Sequence, residues 1–214
     1  MSRNGARRMV AIVDYGAGNL TSVRLAFDKI GVRAAVTNVP AEILAAERVV
    51  FPGVGSAGAA MKCLEDLRLL ACLREVVRRG TPFLGICLGT QVILEYSEED
   101  EVDCLGLISG RVNLLRPGDR AIKIPHMGWN SVVFSRRHPV FDDLADGSEF
   151  YFVHSYCPAP SSAAVVLGTT EYGGMEFSSV LGQDSIVATQ FHPERSGRLG
   201  LKLLANFSRW DGKC

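Results

Sequence analysis

Short apolar runs alternate with segments of helical periodicity through the first half of the chain, and this alternation limits the possible folds more than any other feature. The apolar run at 10–15 ends before Gly16, and Leu20, Val23 and Phe27 then recur at helical spacing. The same pattern predicts strands at 32–37, 48–51 and 83–86 and helices at 61–79 and 88–96. Because strands that alternate with helices form parallel sheets covered on both faces, an α/β fold is expected.

The second half of the chain has a different pattern, in which short strand candidates lie between turns. The candidate strands are 111–115, 121–124, 131–134, 149–153, 164–170, 177–181 and 186–190, and 199–207 is predicted to be a final amphipathic helix. The expected fold is therefore α/β, with an open, mostly parallel sheet, helices on both faces and an antiparallel extension. Residues 9–212 are expected to form a single domain, preceded at 1–8 by a flexible extension without function.

Composition argues against several classes of partner. The 214 residues include 23 basic and 23 acidic side chains, which gives no electrostatic case for nucleic acid or an anionic membrane. No run approaches the roughly 18–20 apolar residues of a membrane span, and no signal peptide is expected. The six cysteines form no CxxC pair and the four histidines lie far apart, so no metal or other cofactor is expected. Cysteines without a disulfide spacing in a chain of this length indicate reduced thiols and therefore a cytoplasmic protein.

Three segments follow predicted strands and are candidates for a site: 16–19, 52–58 and Cys87. In open parallel sheets, ligands bind outside the carboxyl ends of the strands. We therefore expect the three segments to meet at one edge of the sheet.

Cys87 lies between two glycines in the sequence GICLG (85–89), where a strand is expected to stop and a helix to start. This is the pattern of a nucleophile elbow, a strained turn that needs small neighbours. A sulfur at a helix N-terminus is favoured as the thiolate, which is the attacking species. An ordinary buried cysteine is an equally good interpretation of this pentapeptide alone, and it is the interpretation given to the other five cysteines.

His192 and Glu194, in the sequence ATQFHPER (188–195), are the candidate partners for a nucleophilic thiol. An extended backbone projects residues two apart to the same side, and Pro193 disfavours a helix. A thiol needs a base, and a carboxylate beside an imidazole can fix its tautomer. A lone His-x-Glu pair is more often an ordinary turn, but together with the elbow it predicts a Cys-His-Glu set.

Two glycine-rich segments are candidates for backbone binding. In FPGVGS (51–56), Gly53 and Gly55 follow an apolar strand and leave N–H groups free to face a ligand, as an oxyanion hole requires, although a plain turn has the same sequence. DYGAGN (14–19) resembles part of a dinucleotide fingerprint, but Thr21 occupies the third glycine position, so this motif carries little weight.

Together these motifs resemble the class I (triad) glutamine amidotransferases, and among them the glutaminase subunits of imidazole glycerol phosphate synthase. GICLGTQ and QFHPER resemble the nucleophile and His-Glu motifs of the whole superfamily. Four further stretches resemble those glutaminase subunits: DYGAGNLTSV (14–23), FPGVGSAGAAM (51–61), KIPHMGWNSV (123–132) and YFVHSY (151–156). The resemblance extends from residue 10 to residue 210.

This resemblance implies hydrolysis of glutamine to glutamate and ammonia through a cysteine thioester. Cys87 would attack the side-chain amide, His192 would carry the proton to the leaving ammonia, and Glu194 would orient His192. The substrate-binding residues that the resemblance implies are Gly53, Val54, Gly55, Leu88, Gln91, Ser155 and Tyr156, of which the amides near 53–54 and 88 would bind the oxyanion.

The resemblance also implies a heterodimer with a separate (β/α)₈ cyclase subunit, which takes up the ammonia and makes imidazole glycerol phosphate for histidine synthesis. Met127, Trp129, Asn130 and Arg195 match the docking face of the family. From the residues alone, Met127 and Trp129 could equally be core side chains. Exposed apolar anchors would instead mark an interface.

Three positions depart from the usual pattern of the family: Thr90 stands for Met, Cys157 for Tyr and Arg195 for Lys. None belongs to the predicted triad, but they leave open a paralogue that supplies ammonia to another synthase, such as one that forms amidino sugars. A stress or peptidase relative with an elbow cysteine is a second alternative, although no histidine follows Cys87 before His126. A catalytically silent binding subunit is the third.

Overall fold

A nine-stranded mixed sheet forms the centre of the protein, which we describe from a computed structural model over residues 9–118 and 121–213. The extension predicted at 1–8 lies outside these described residues. The strands of the described part are β1 (Met9–Val13), β2 (Arg33–Thr37), β3 (Arg48–Gly53), β4 (Phe83–Cys87), β5 (Tyr96–Ser97), β6 (Val102–Asp103), β7 (Gly110–Leu114), β8 (His126–Phe134), β9 (Ser148–His154), β10 (Tyr156–Pro160), β11 (Val166–Tyr172), β12 (Met175–Gln183) and β13 (Ile186–Thr189).

The order of strands in the large sheet is β2-β1-β3-β4-β13-β12-β11-β8-β9. Neighbouring strands are parallel from β2 to β13 and antiparallel from β13 to β9. The predicted α/β fold with an antiparallel extension is therefore confirmed. The late strand β13 pairs with β4, with Thr189 opposite Ile86, so the chain that follows β13 emerges beside Cys87.

Helices cover both faces of this sheet. Their bounds in the described part are α1 (Leu20–Lys29), α2 (Pro40–Ala45), α3 (Ala57–Asp66), α4 (Leu70–Arg78), α5 (Leu88–Val92) and α6 (Gly197–Phe207). On strand β3, in the parallel half of the sheet, Val50 packs into one core with residues of α1 and α6, whereas Val49 and Phe51 pack into the other core with residues of α2 to α5. A strand covered on both faces needs apolar side chains at consecutive positions, which explains the continuous apolar runs of the sequence.

A smaller sheet, with the order β10-β7-β5-β6, adjoins the large one. The chain leaves the large sheet at His154, the last residue of β9, and enters the small sheet at Tyr156, the first residue of β10. Ser155 and Tyr156 therefore lie where the two sheets meet.

Two predicted helices differ from the observed ones. The helix predicted at 61–79 is the pair α3 and α4, because Arg68 has a left-handed φ of 56° that interrupts the helical path. Fully buried leucines, Leu64 and Leu69, lie on either side of this break. The helix predicted at 88–96 ends at Val92, because the chain beyond it turns to form β5 of the small sheet.

The strand predicted at 121–124 was wrong, and these residues form a turn and bends. The carbonyl of Lys123 accepts a hydrogen bond from the hydroxyl of Tyr172 at 2.7 Å. This carbonyl is therefore paired with a side chain and not with the backbone of a neighbouring strand. Helix α2 and strand β10 were not predicted. The two prolines of β10 argue against a strand in the sequence, but they are tolerated because β10 is at the edge of the small sheet.

Candidate active site

Cys87 occupies a sharp turn between β4 and α5. Its φ of 54° is in the left-handed region that non-glycine residues rarely adopt, as a nucleophile elbow requires. The flanking glycines are needed for packing, since a methyl group at Gly89 would overlap the carbonyl oxygen of Phe51 and one at Gly85 would lie 3.0 Å from the Cβ atom of Ala188. The elbow predicted from GICLG is therefore present.

His192 and Glu194 follow β13 and lie next to this turn. The Nδ1 atom of His192 is 2.8 Å from Oε1 of Glu194, and both side chains are fully buried. Nδ1 is thus held by the carboxylate. Nε2 of His192 has no nitrogen or oxygen partner within the described residues, which leaves it for the thiol of Cys87. The structure brings together the three residues that the sequence proposed as a set.

The protonation of His192 depends on these two neighbours. Burial alone would lower its pKa, because an imidazolium loses its hydration inside a protein. The negative charges and hydrogen bonds of Cys87 and Glu194 outweigh burial and raise the pKa of His192 to about 10. The imidazole is therefore held as a proton donor beside the sulfur of Cys87 at neutral pH.

A cavity of about 300 Å³ opens in front of Cys87. Its lining residues are Val54, Gly55, Cys87, Leu88, Gln91, Glu99, Pro125, Val153, His154, Ser155 and Tyr156. Its volume lies at the small end of the range for ligand sites in proteins, which suits a metabolite of amino-acid size. Six of the seven residues that the sequence assigns to substrate binding line this cavity.

The seventh, Gly53, does not line the cavity but immediately precedes Val54, which does. It pairs in register with Cys87 across strands β3 and β4. A methyl group at this position would overlap the hydroxyl oxygen of Tyr15, a buried side chain, so only glycine fits. The loop that begins at Gly53 thus lies beside Cys87, where an oxyanion hole is expected.

Comparison with known proteins decides the family. Residues 11–209 match the family Glutamine amidotransferase class-I. The chain belongs to the class I glutamine amidotransferases. Its relatives include the imidazole glycerol phosphate synthase subunit HisH of Moorella thermoacetica, 48% identical over 201 residues that are 94% of each chain. The subunit of the same name from Aromatoleum aromaticum is 46% identical over 212 residues, 94% of this chain and 98% of that one.

Solved structures share the fold at much lower sequence identity. PurLQS from Thermotoga maritima superposes with a TM-score of 0.73 and 17% identity, over 94% of this chain and 97% of that chain. A glutamine amidotransferase from the same organism superposes with a TM-score of 0.63 and 18% identity, over 90% of this chain and 79% of that chain.

Three polar residues of this amidotransferase site were not found from the sequence. Asn19 donates from Nδ2 to Oε1 of Glu194 at 3.0 Å, so the discounted DYGAGN motif supplies a second contact to the carboxylate. Gln190 donates to the sulfur of Cys87 at 3.7 Å. Glu99 lines the cavity and accepts a hydrogen bond from the amide of Ala57 at 2.9 Å. The available signals were the position of Asn19 in the segment 16–19, which follows a predicted strand, and the position of Gln190 in the QFHPER motif.

Gln91 is one helical turn beyond the nucleophile, as the sequence implied. Its Nε2 atom donates to the carbonyl of Tyr156 at 2.8 Å and to Oε1 of Gln190 at 3.1 Å. These bonds fix the side chain at the cavity wall. Thr90, one of the departures from the family pattern, is fully buried and donates to the carbonyl of Thr189 at 2.6 Å, away from the cavity.

The residues assigned to docking lie on strand β8 and, for Arg195, in the short helical turn Pro193–Arg195 that follows β13. Met127 and Trp129 are 63% and 55% exposed, so they are not core side chains. Arg195 lies over the ring of Tyr151, 5.3 Å from its centre. The amide of Asn130, in contrast, is turned back into the protein, where it donates to the carbonyl of Glu171 at 2.8 Å.

Within the described residues, no cluster of three or more His, Cys, Asp or Glu side chains could hold a metal ion. None of the helices in the described ranges is both long enough and apolar enough to span a membrane.

Proposed function

We propose that this protein is the glutaminase subunit of an imidazole glycerol phosphate synthase, which hydrolyses glutamine and passes the ammonia to a cyclase subunit in histidine biosynthesis. One observation carries this proposal: the Cys87–His192–Glu194 array is buried, internally hydrogen-bonded and open to a cavity of amino-acid size. The 45–48% identity to HisH subunits along nearly the whole chain supports the choice among amidotransferases and argues against the paralogue.

The geometry suits a thioester mechanism. The thiolate of Cys87 attacks the side-chain amide carbon of glutamine and forms a carbon–sulfur bond, while the amide oxygen becomes an oxyanion. Val54 and Leu88 line the cavity together with Cys87, and their backbone N–H groups would donate hydrogen bonds to this oxyanion. The imidazolium of His192 then donates its Nε2 proton to the nitrogen, and ammonia leaves from the thioester.

Neutral His192 next removes a proton from water, which attacks the thioester carbon. Cleavage of the carbon–sulfur bond releases glutamate and restores the thiolate–imidazolium pair, so protons and charge balance over the cycle. Glu194 keeps Nδ1 protonated, and therefore Nε2 is the nitrogen that exchanges the proton in both half-reactions.

The cavity wall also fits the other end of glutamine. Glu99 supplies a carboxylate that can pair with the α-ammonium group, and the backbone of Ser155 and Tyr156 offers polar groups in the same cavity. The side chain of Gln91 also lines this cavity. No cofactor takes part in this chemistry, and the proposed pathway places the protein in the cytoplasm.

The exposed face of β8 is proposed to dock the (β/α)₈ cyclase subunit. Met127 and Trp129 project from this strand as large apolar groups, which cost little to desolvate and anchor interfaces. Arg195, on the ring of Tyr151, borders the same surface because Tyr151 also contacts Trp129. Because hydrolysis without an acceptor wastes glutamine, turnover is expected to be feeble alone and to rise strongly with the cyclase and its nucleotide ligand.

Replacing the nucleophile separates glutaminase chemistry from assembly. Cys87→Ala removes the attacking sulfur, so the complex with the cyclase should lose glutamine-dependent synthesis of imidazole glycerol phosphate. It should retain synthesis from added ammonium, because the cyclase active site is untouched. Loss of both activities would contradict the proposal, and so would equal glutamine turnover by the wild-type subunit with and without its partner.

A further inference from the structure

Two buried histidines outside the triad form a continuous hydrogen-bonded chain. Nε2 of His126 is 3.2 Å from the amide nitrogen of Asn130, and Nδ1 of His126 is 3.0 Å from Nε2 of His154. Nδ1 of His154 is 2.8 Å from the carbonyl oxygen of Tyr156. Both rings are at least 95% buried, at 2% and 5% exposure.

The groups at the two ends of this hydrogen-bonded chain determine the direction of its hydrogen bonds. An amide nitrogen can only donate and a carbonyl oxygen can only accept, so His126 accepts at Nε2 and donates from Nδ1, and His154 does the same. Both rings are therefore neutral and carry their proton on Nδ1. Burial is the cause of this neutrality, since it lowers the pKa of His126 to about 4 and is the main effect that lowers the pKa of His154 to about 3.

The chain ends in the wall of the glutamine cavity. The same carbonyl of Tyr156 that accepts from His154 also accepts from Gln91 at 2.8 Å. Gln91 in turn donates to Gln190, which donates to the sulfur of Cys87. The position of one carbonyl group is thus determined from two sides, by the histidine pair and by the side chains around the nucleophile.

The hydrogen-bonded chain begins in β8, the strand that carries the proposed docking surface. Met127 and Trp129 point outward from β8, while His126 on the same strand points inward. His126 is also stacked between the rings of Tyr172 and Phe152, with centres 4.0 and 4.8 Å apart. A phenylalanine would satisfy this stacking, so packing alone does not require two hydrogen-bonding rings here.

We propose that His126 and His154 are positioning residues, which hold the Ser155–Tyr156 backbone in the conformation that binds glutamine and tie it to strand β8. This inference rests on the proposed function. It assigns the two histidines no contact with the reacting atoms, and their effect is exerted through the carbonyl of Tyr156.

Two variants test the proposal in the assembled complex with the cyclase and its ligand. His126→Phe keeps the stacked ring but removes both hydrogen bonds. Asn130→Asp keeps the size of the side chain but replaces the donor by an acceptor, which reverses the chain and sets an unprotonated Nδ1 of His154 against the Tyr156 carbonyl. Each should raise the KM for glutamine about tenfold, with a smaller change in kcat, because the wall of the binding site is loosened or displaced.

Phe134→Leu is the matched control, since it reduces aromatic packing on the same strand and none of the contacts described here joins it to either histidine. It should leave the KM for glutamine within about twofold. Synthesis from ammonium should be unchanged in all three variants. An unchanged KM in both His126→Phe and Asn130→Asp, or an equal rise in the control, would overturn the proposal.

Nitrogen NMR of the imidazole rings provides a readout that does not depend on activity. Wild-type His126 and His154 should both show the Nδ1–H tautomer at pH 7, and Asn130→Asp should convert them to Nε2–H. The opposite wild-type tautomer with normal glutaminase activity would overturn the positioning role alone. A wild-type complex that consumes no glutamine would overturn the proposed function and, with it, this inference.

Discussion

Neighbouring side chains, rather than burial, decide the protonation state of His192. Glu194 is completely buried, which would normally make a carboxylate costly, but His192 and Asn19 both contact its Oε1 atom. Its charge then holds a proton on His192 beside the sulfur of Cys87. Glu194 and His192 therefore stabilise each other as a buried, oppositely charged pair.

Removal of this carboxylate charge should alter the pH dependence of the reaction. Glu194→Gln keeps a hydrogen-bonding group of the same size, but the loss of the negative charge lowers the pKa of His192 from about 10. The proton donor is then lost at lower pH, so the alkaline limb of the kcat profile should shift to lower pH and kcat at neutral pH should fall on the order of a hundredfold. Glu176→Gln, at an exposed position, is the control. An unshifted alkaline limb would contradict this account.

The elbow depends on the close approach of two elements. Helix α5 starts against strand β3 with no space for a side chain at Gly89, because the Phe51 carbonyl lies there. The glycine serves packing between elements, and the strained φ belongs to Cys87 itself.

Gly89→Ala should therefore destabilise the fold. The added methyl group must push α5 away from β3, and overpacking of this kind costs about 2–3 kcal/mol of unfolding free energy. Gly118→Ala is a suitable control, since its Cβ would meet no atom within 4 Å. Urea denaturation of both variants measures the difference in unfolding free energy. Equal stability of the two would show that a methyl group fits between α5 and β3 without cost.

Strand β8 has one face packed into the core and one exposed face, which is the proposed docking surface for the cyclase subunit. Trp129→Ala should weaken binding of the cyclase subunit by about thirtyfold or more, which corresponds to the roughly 2 kcal/mol of an aromatic anchor. The melting temperature of the free subunit should be unaffected, because the side chain is already 55% exposed.

Leu25→Ala is the matched control for this binding experiment. Leu25 is 53% exposed but lies on helix α1, and its removal should leave the dissociation constant unchanged. Titration calorimetry measures both. Equal effects of the two substitutions would exclude β8 as the docking strand.

At the scale of the whole molecule, buried histidines couple folding to pH. Burial lowers the pKa of His126 and His138 from 6.5 to about 4 and is the main effect that lowers that of His154 from 6.5 to about 3. Unfolded histidines bind protons below pH 6.5 while these folded ones do not, so stability is complete above pH 6.5 and is lost as the pH falls toward 4. His192 behaves in the opposite way, because its raised pKa makes its contribution complete below pH 6.5 and lost only as the pH rises through about 10.

The free energy of unfolding should therefore fall by several kcal/mol between pH 7 and pH 5. His138→Asn removes one titrating ring, while the asparagine oxygen can still accept from the amide of Val140 at the start of the short helical turn there. The pH dependence of this variant should be smaller by about 2 kcal/mol. Urea denaturation at the two pH values measures the unfolding free energy. If its change between pH 7 and pH 5 were the same in His138→Asn as in the wild type, the contribution assigned to His138 would be contradicted.

Most of the parallel half of the fold could be predicted because its causes are local. Continuous apolar runs, helical periodicity and glycine breaks identify β1, β3, β4 and α1 within the sequence. Prediction was weaker where distant residues decide the outcome. The helix after Cys87 stops at Val92 because the residues that follow form β5, which pairs with β7 in the second sheet. Tyr156–Pro160 forms a strand despite two prolines because it has a partner strand on one side only.

The same distinction applies to the site. The chain by itself identified the candidate reactive groups, since the G-x-Cys-x-G turn and the His-x-Glu spacing are properties of neighbouring residues. Only the tertiary structure decided what surrounds them: β13 beside β4 brings His192 to Cys87, Asn19 reaches Glu194 across 175 residues, and β8 exposes Trp129 while burying His126. Backbone preference and hydrophobic pattern act over a few residues, whereas hydrogen-bond partners and exposure depend on the order and register of strands that are far apart in the chain.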